Sequence, residues 1–248
     1  MTDHVVLGEE IAFRGAQGDW IEGFFARPLD LVSMGSVVVI HHMPGYDEAT
    51  KEIALRFARH GYAALMPNLY FREAPNAAPD DAAAIARSKG GVPDERLIGD
   101  VAGARDFLLR QPHANGKSGV IGYCSGGRQA FLSGCELPFD AVVDCYGAFV
   151  VNQPPAESPL KVSAVIDRAA KLNAPVLGLF GNDDSYPGPE EVNALDTELT
   201  KLGKSHEFHR YDGAGHAFFN TAAPSYRPEV AKDAWGHIFT FFAANLEA

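Results

Sequence analysis

Val120–Arg128 reads V-I-G-Y-C-S-G-G-R. An apolar run, Lys117–Tyr123, leads into it as a strand, and Ser125–Cys135 leaves it as a helix. The segment therefore places a thiol at the junction of a strand and a helix, in the pattern G-x-C-x-G. At so sharp a junction the central residue has a strained backbone, and the residues two before and two after it must lack side chains. Gly122 and Gly126 stand at those positions, and Gly127 adds a second small residue. A helix beginning at Ser125 aims its N-terminal dipole at the sulfur and favours thiolate. With 25 glycines in 248 residues and three cysteines, chance supplies only roughly 0.03 such patterns. Cys135 and Cys145 have no such surroundings and read as small core residues.

Outward from this junction, strands and helices alternate. Before it, Gly35–His41 (GSVVVIH) reads as a strand apolar on both faces, Glu48–His60 as a helix closed by Gly61, and Tyr62–Pro67 as a strand. Asp94–Arg110 reads as a long helix with Leu97, Val101, Ala104, Phe107 and Leu108 on one face. After it come strands at Ala141–Tyr146, Pro175–Phe180 and His206–Tyr211, a helix at Glu190–Leu202, and a closing helix over Pro228–Leu246. This alternation predicts an α/β fold: a mostly parallel central sheet with helices on both faces. Glu9–Arg14 and Asp19–Arg27, split by Gly15–Gly18, predict an N-terminal antiparallel hairpin. Glu73–Pro79 and Val151–Pro159 are irregular and are expected to roof a pocket. No repeat or linker divides the chain, so one domain over residues 1–248 is expected.

Composition narrows the class. A hydrophobic fraction of 46% is ample for a core, and a formal net charge of −11 argues against a nucleic-acid or anionic-membrane surface. The three cysteines match no zinc spacing and no disulfide framework. The N-terminus has no apolar targeting segment, and no apolar run approaches the roughly 18–20 residues that span a bilayer. A soluble cytoplasmic protein, monomeric or a small homo-oligomer, is expected.

A thiol nucleophile needs an imidazole base, and the imidazole needs a carboxylate to fix its tautomer. On this kind of sheet the chain order is nucleophile, acid, histidine. Val176–Asp184 (VLGLFGNDD) is a strand ending in two acids, and Tyr211–Asn220 (YDGAGHAFFN) presents His216 just beyond a strand. Both lie at C-terminal strand ends, where α/β sheets build their sites. His216 is the candidate base, whereas His206 and His209 lie along the preceding strand. Spacing does not separate Asp183 from Asp184, and either could instead cap the helix near Pro189. An oxyanion hole is expected from the backbone N–H of Ser125 and one from the loop His41–Tyr46; Pro44 has no N–H, and Met43 is the expected donor.

These residues resemble the dienelactone hydrolases (carboxymethylenebutenolidases). The segments VVVIHHMPG, HGYAALMPNLYFR, HANGKSGVIGYCSGG, LGLFGNDD and YDGAGHAFFN carry the resemblance in order along nearly the whole chain. It implies the α/β-hydrolase fold, no cofactor, and hydrolysis of a small ester or enol-lactone. It puts the nucleophile on Cys124, the histidine on His216, the acid on Asp184, and the oxyanion donors on Ser125 and Met43. His42, Tyr46, Arg72, Tyr146 and Phe218 are pocket candidates. Two positions depart from the family. A glutamate that meets the resting thiol in well-known members is replaced by His42, and an arginine that binds the substrate carboxylate by Asn220. Arg72 and Arg87 are then the available cations, and a neutral or larger ester, or an acyl-thioester, is an alternative substrate.

Two other classes compete. A non-catalytic small-molecule receptor on the same scaffold would have no need for nucleophile, acid and base in order. A metal site from His41, His42, Asp47 and Glu48 has suitable ligand types, but adjacent histidines at a strand end point to opposite sides.

Overall fold

A computed structural model describes residues 4–30 and 33–247. Eight strands form one sheet in the order β1-β2-β4-β3-β5-β6-β7-β8. They are β1 (Val6–Arg14), β2 (Trp20–Pro28), β3 (Met34–Ile40), β4 (Ala63–Pro67), β5 (Ala114–Tyr123), β6 (Ala141–Cys145), β7 (Val176–Gly181) and β8 (His206–Tyr211). The hairpin β1–β2 is antiparallel and joins β4 antiparallel; every pairing from β4 through β3 to β8 is parallel. This is the architecture anticipated, with its N-terminal hairpin.

Helices cover both faces: α1 (Glu48–Arg59), α2 (Pro79–Ser88), α3 (Asp94–Leu109), α4 (Ser125–Glu136), α5 (Pro189–Lys201) and α6 (Pro228–Leu246). Strand alternation sorts the core into two layers. Val37, Val39, Ile121, Val143 and Leu179 pack with Phe57 of α1 and Ile238 and Phe242 of α6. Val38, Ile40, Val120, Val142 and Val176 pack with Leu97 and Val101 of α3, Phe131 of α4 and Leu195 of α5. Each such fully buried side chain contributes about 1.5–3 kcal/mol relative to exposure. With both faces covered, the central strands read as continuous apolar runs, and β3 is buried at all seven positions.

Local signals place the ends. Asp47 caps α1: its carboxylate accepts from the Thr50 N–H at 2.8 Å, and the Thr50 side chain accepts from the Asp47 N–H in return. Gly61 closes α1 with φ of 91°, a conformation that favours glycine. One helix was not anticipated. Helix α2 is alanine-rich, starts at Pro79 without a side-chain cap, and buries only Ala82, Ala83 and Ala86. Its buried positions are all alanine, so the stripe carries little apolar bulk to mark it.

Candidate active site

The turn from β5 into α4 is built around Cys124, whose backbone sits at φ 58° and ψ −123°. Glycine on either side is a steric requirement. A Cβ on Gly122 would lie 1.8 Å from the Gly126 oxygen, and one on Gly126 would lie 2.5 Å from the Ile40 oxygen. A Cβ on Gly127 would lie 2.3 Å from Oδ1 of Asp144. The Cys124 N–H donates to the Cys145 oxygen at 3.0 Å, which ties the turn to β6.

Three side chains that are distant in sequence meet at this turn. His216 Nε2 lies 2.9 Å from Cys124 Sγ, and His216 Nδ1 lies 2.8 Å from Asp184 Oδ2. Asp184 is buried, and its Oδ1 accepts from the Tyr186 N–H at 2.8 Å. Asp183 is exposed, and neither acid caps α5, whose N-cap is Gly188 without a side-chain bond. Burial alone would lower the His216 pKa. Hydrogen bonds to Asp184 and Cys124, with their charges, outweigh burial and push it up to about 10. The sulfur therefore faces an imidazolium. Tyr146 packs edge-on to the His216 ring at 5.2 Å.

The loop after β3 closes the opposite side. His41 is buried; its Nδ1 lies 2.8 Å from the His42 oxygen, and its Nε2 accepts from the Leu69 N–H at 3.3 Å. Burial foremost lowers its pKa to about 4, so the ring is a neutral strut. Among the described residues, neither the Met43 nor the Ser125 N–H donates to a protein acceptor. Both residues line the cavity that holds Cys124.

That cavity has a volume of about 150 Å³ and an apolar wall of Val92, Phe149, Leu160 and Val162. A cavity of this size takes a single benzene-sized ring. Arg87, near the end of α2, stands at its edge, and its Nε and Nη2 donate to the Met43 sulfur at 3.3 and 3.0 Å. A thioether is a weak acceptor, and no carboxylate pairs with Arg87 among the described residues. Arg128 also borders the cavity but is committed to Asp94, with two bonds of 2.9 Å.

Several pocket expectations need correction. Arg72 does not line this cavity; its guanidinium holds the fully buried Asp100 at 2.8 and 2.9 Å and Asp19 at 3.0 Å. Tyr46 bonds Glu10 and lines a separate cavity with Asn76, Ala77 and Pro79, so the segment Glu73–Pro79 roofs that space instead. Phe218 is fully buried and supports the Tyr146 ring at 5.1 Å from beneath. His42 bonds Asp47 at 3.1 Å and, with Tyr146 and Asn220, borders a third cavity of about 60 Å³. The thiol's imidazole partner is His216. The roof of the thiol cavity comes from 148–149 and 160–162, flanking the expected Val151–Pro159, and from the region 87–92. Apart from Arg87, those wall residues carry no signal along the chain, because they converge only through packing.

Residues 21–246 match the model of the dienelactone hydrolase family. The chain belongs to the dienelactone hydrolase family. It is thereby a hydrolase acting on ester bonds. Among its relatives, a protein of Salmonella typhimurium named "putative carboxymethylenebutenolidase" is 33% identical over 92% of this chain and 84% of its own length. One of the same name from Escherichia coli K12 is 31% identical over 92% and 83%. The crystal structure of a "putative dienelactone hydrolase" from Klebsiella pneumoniae covers 97% of this chain and 99% of its own, with a TM-score of 0.85 at 28% identity. The family's α/β-hydrolase fold is the one described above. No helix among the described residues is long and apolar enough to cross a membrane.

Proposed function

We propose that this chain hydrolyses small esters or lactones through a covalent thioester on Cys124. The observation that carries the reading is the continuous line from Sγ to imidazole to carboxylate, at 2.9 and 2.8 Å. The Cys124 thiolate attacks the carbonyl carbon, and the oxyanion is held by the N–H groups of Ser125 and Met43. His216, protonated at rest, gives its proton to the leaving oxygen as the tetrahedral intermediate collapses to the thioester. Neutral His216 then takes a proton from water, whose oxygen attacks the thioester carbonyl. Collapse of the second intermediate releases the acid and restores the thiolate beside imidazolium. Asp184 holds the ring in the tautomer that presents Nε2 to the sulfur. No cofactor enters these steps.

The acyl group is compact, about one ring in size, as the cavity volume supports. Arg87 favours a substrate with a carboxylate, since its guanidinium has only a thioether to bond and can swing toward an anion in the cavity. The apolar wall and Asn220, which sits at a different cavity, favour a neutral acyl group instead. A carboxylated enol-lactone and its neutral ester analogue separate the two. The charged compound is expected to be preferred, and Arg87→Gln to raise its KM while leaving the neutral one unchanged. Rapid-quench mass spectrometry tests the thioester: one acyl adduct is expected on Cys124. Turnover without any adduct on that residue, at any delay, overturns the covalent reading.

A further inference from the structure

Strand β8 is the last strand of the sheet, and its alternating side chains face two different helices. His206 and Arg210 face α5, where His206 Nε2 lies 2.8 Å and Arg210 Nη2 3.4 Å from the Asp196 carboxylate. Glu207, His209 and Tyr211 face α6. The Tyr211 hydroxyl donates to Asp233 Oδ2 at 3.1 Å, and the His209 ring stacks on His237 with centroids 3.5 Å apart and planes 26° apart. None of these residues takes part in the hydrolytic chemistry above.

The stack brings ligand atoms together. Glu207 Oε1 lies 2.6 Å from His209 Nε2, and Asp233 Oδ2, one helical turn before His237, lies 3.3 Å from His237 Nε2. One donor atom from each of Glu207, His209 and His237 falls within 4.8 Å of the others. Neighbouring ligand atoms around a tetrahedral ion with bonds of about 2.0–2.1 Å are roughly 3.3 Å apart. A divalent ion among these groups would take an imidazole nitrogen from each of the two stacked rings and an oxygen from Glu207 at once. Imidazole and carboxylate together suit zinc and its neighbours better than magnesium or calcium, which prefer oxygen alone.

We propose that Glu207, His209 and His237 bind one divalent transition-metal ion of the zinc class. The ion bridges β8 to α6, the two elements between which the chain carries His216. Its role is structural, and it does not depend on the proposed hydrolytic reading.

The test uses the full chain, stripped with a chelator and titrated with zinc chloride. One saturable equivalent is expected, with Tm rising by several degrees at saturation because the ion binds only the folded state. Cobalt(II) reports the ligands: visible d–d bands without a thiolate charge-transfer band are expected for nitrogen and oxygen donors. His209→Ala and His237→Ala should each weaken zinc binding at least about tenfold, and Glu207→Gln, which keeps the side-chain shape, should also weaken it. All three should retain ester hydrolysis, which shows that they are folded. No saturable zinc site, a thiolate band placing the ion at Cys124, or equal affinity in the three variants would each overturn the proposal.

Discussion

The ends of β5 and β6 lie side by side, Tyr123 opposite Cys145, and each carries a cysteine at its C-terminal edge. The two thiols share one chemistry and differ in surroundings. Cys124 has left the strand; it is partly exposed, held in a left-handed backbone, and meets His216 at 2.9 Å. Cys145 is still in the strand and fully buried, and burial above all pushes its thiol well above the ordinary range. Cys135, inside α4, is likewise buried and raised to about 12. A single further residue, in a turn that only glycine neighbours permit, separates a core side chain from a candidate nucleophile.

The sharpest way to break this contrast is to exchange the two thiols for alanine. Cys124→Ala is expected to lower hydrolysis of short p-nitrophenyl esters at least about 10³-fold with little change in Tm. Cys145→Ala should cost about 1–2 kcal/mol of stability and leave kcat within a few-fold. Steady-state kinetics beside denaturant titration distinguish them, and a slow Cys145→Ala enzyme would put the chemistry on the wrong strand.

The turn itself comes next. Gly126→Ala drives a Cβ into the Ile40 and His41 carbonyls, at 2.5 and 2.7 Å, so the turn must open. A shift of about 1 Å at the sulfur should reduce kcat roughly 10²-fold. An unimpaired variant would show that the elbow tolerates what its geometry forbids.

Iodoacetamide sharpens the comparison without mutation. Cys124, partly exposed and 2.9 Å from His216 Nε2, should be alkylated in the native protein roughly tenfold faster than a free thiol at pH 7, whereas the buried Cys135 and Cys145 should not react. His216→Ala should remove that advantage.

The last contrast is one of pH and lies just behind Cys145. Asp144 is buried, with Oδ1 on the Gly147 N–H at 2.8 Å and Oδ2 without a partner. Burial, with Glu191 nearby, raises its pKa from 3.8 to about 7. The folded state therefore favours the protonated acid. Its contribution is complete below about pH 3.8 and is lost as pH rises to about 7, at up to about 1.4 kcal/mol per unit. Asp144→Asn should flatten that segment of the stability–pH curve; parallel curves for the two proteins would remove Asp144 as the cause.

What could be read along the chain was whatever local physics dictates. Gly122 and Gly126 announce the elbow because a side chain at either position collides with backbone, and β3 announces itself because both its faces are buried. His216 and Asp184 stand at strand ends in the order that the sheet imposes. Spacing does not separate Asp184 from Asp183; the family resemblance favours Asp184, and in three dimensions it is the one buried against the imidazole while Asp183 faces solvent. Along the chain Arg72 and Arg87 are alike as cations; in the fold Asp100 of α3 captures Arg72 and leaves Arg87 facing a thioether. Tyr46 and Phe218 had the composition of pocket walls, but the packing of β1 and of the Tyr146 ring fixed their places. The cavity was illegible because its wall joins α2, α4 and the segment after β6, none of which shares a periodicity.

The tie between the Cys124 amide and the Cys145 carbonyl has a stereochemical consequence. With that N–H committed, the proposed mechanism has only the Ser125 and Met43 amides to hold the oxyanion, with the leaving group turned to the imidazole. In that proposed pose the planar acyl carbon presents the same face to sulfur at every turnover. A racemic ester bearing a stereocentre next to the carbonyl should accordingly be resolved, one enantiomer consumed well ahead of its mirror image.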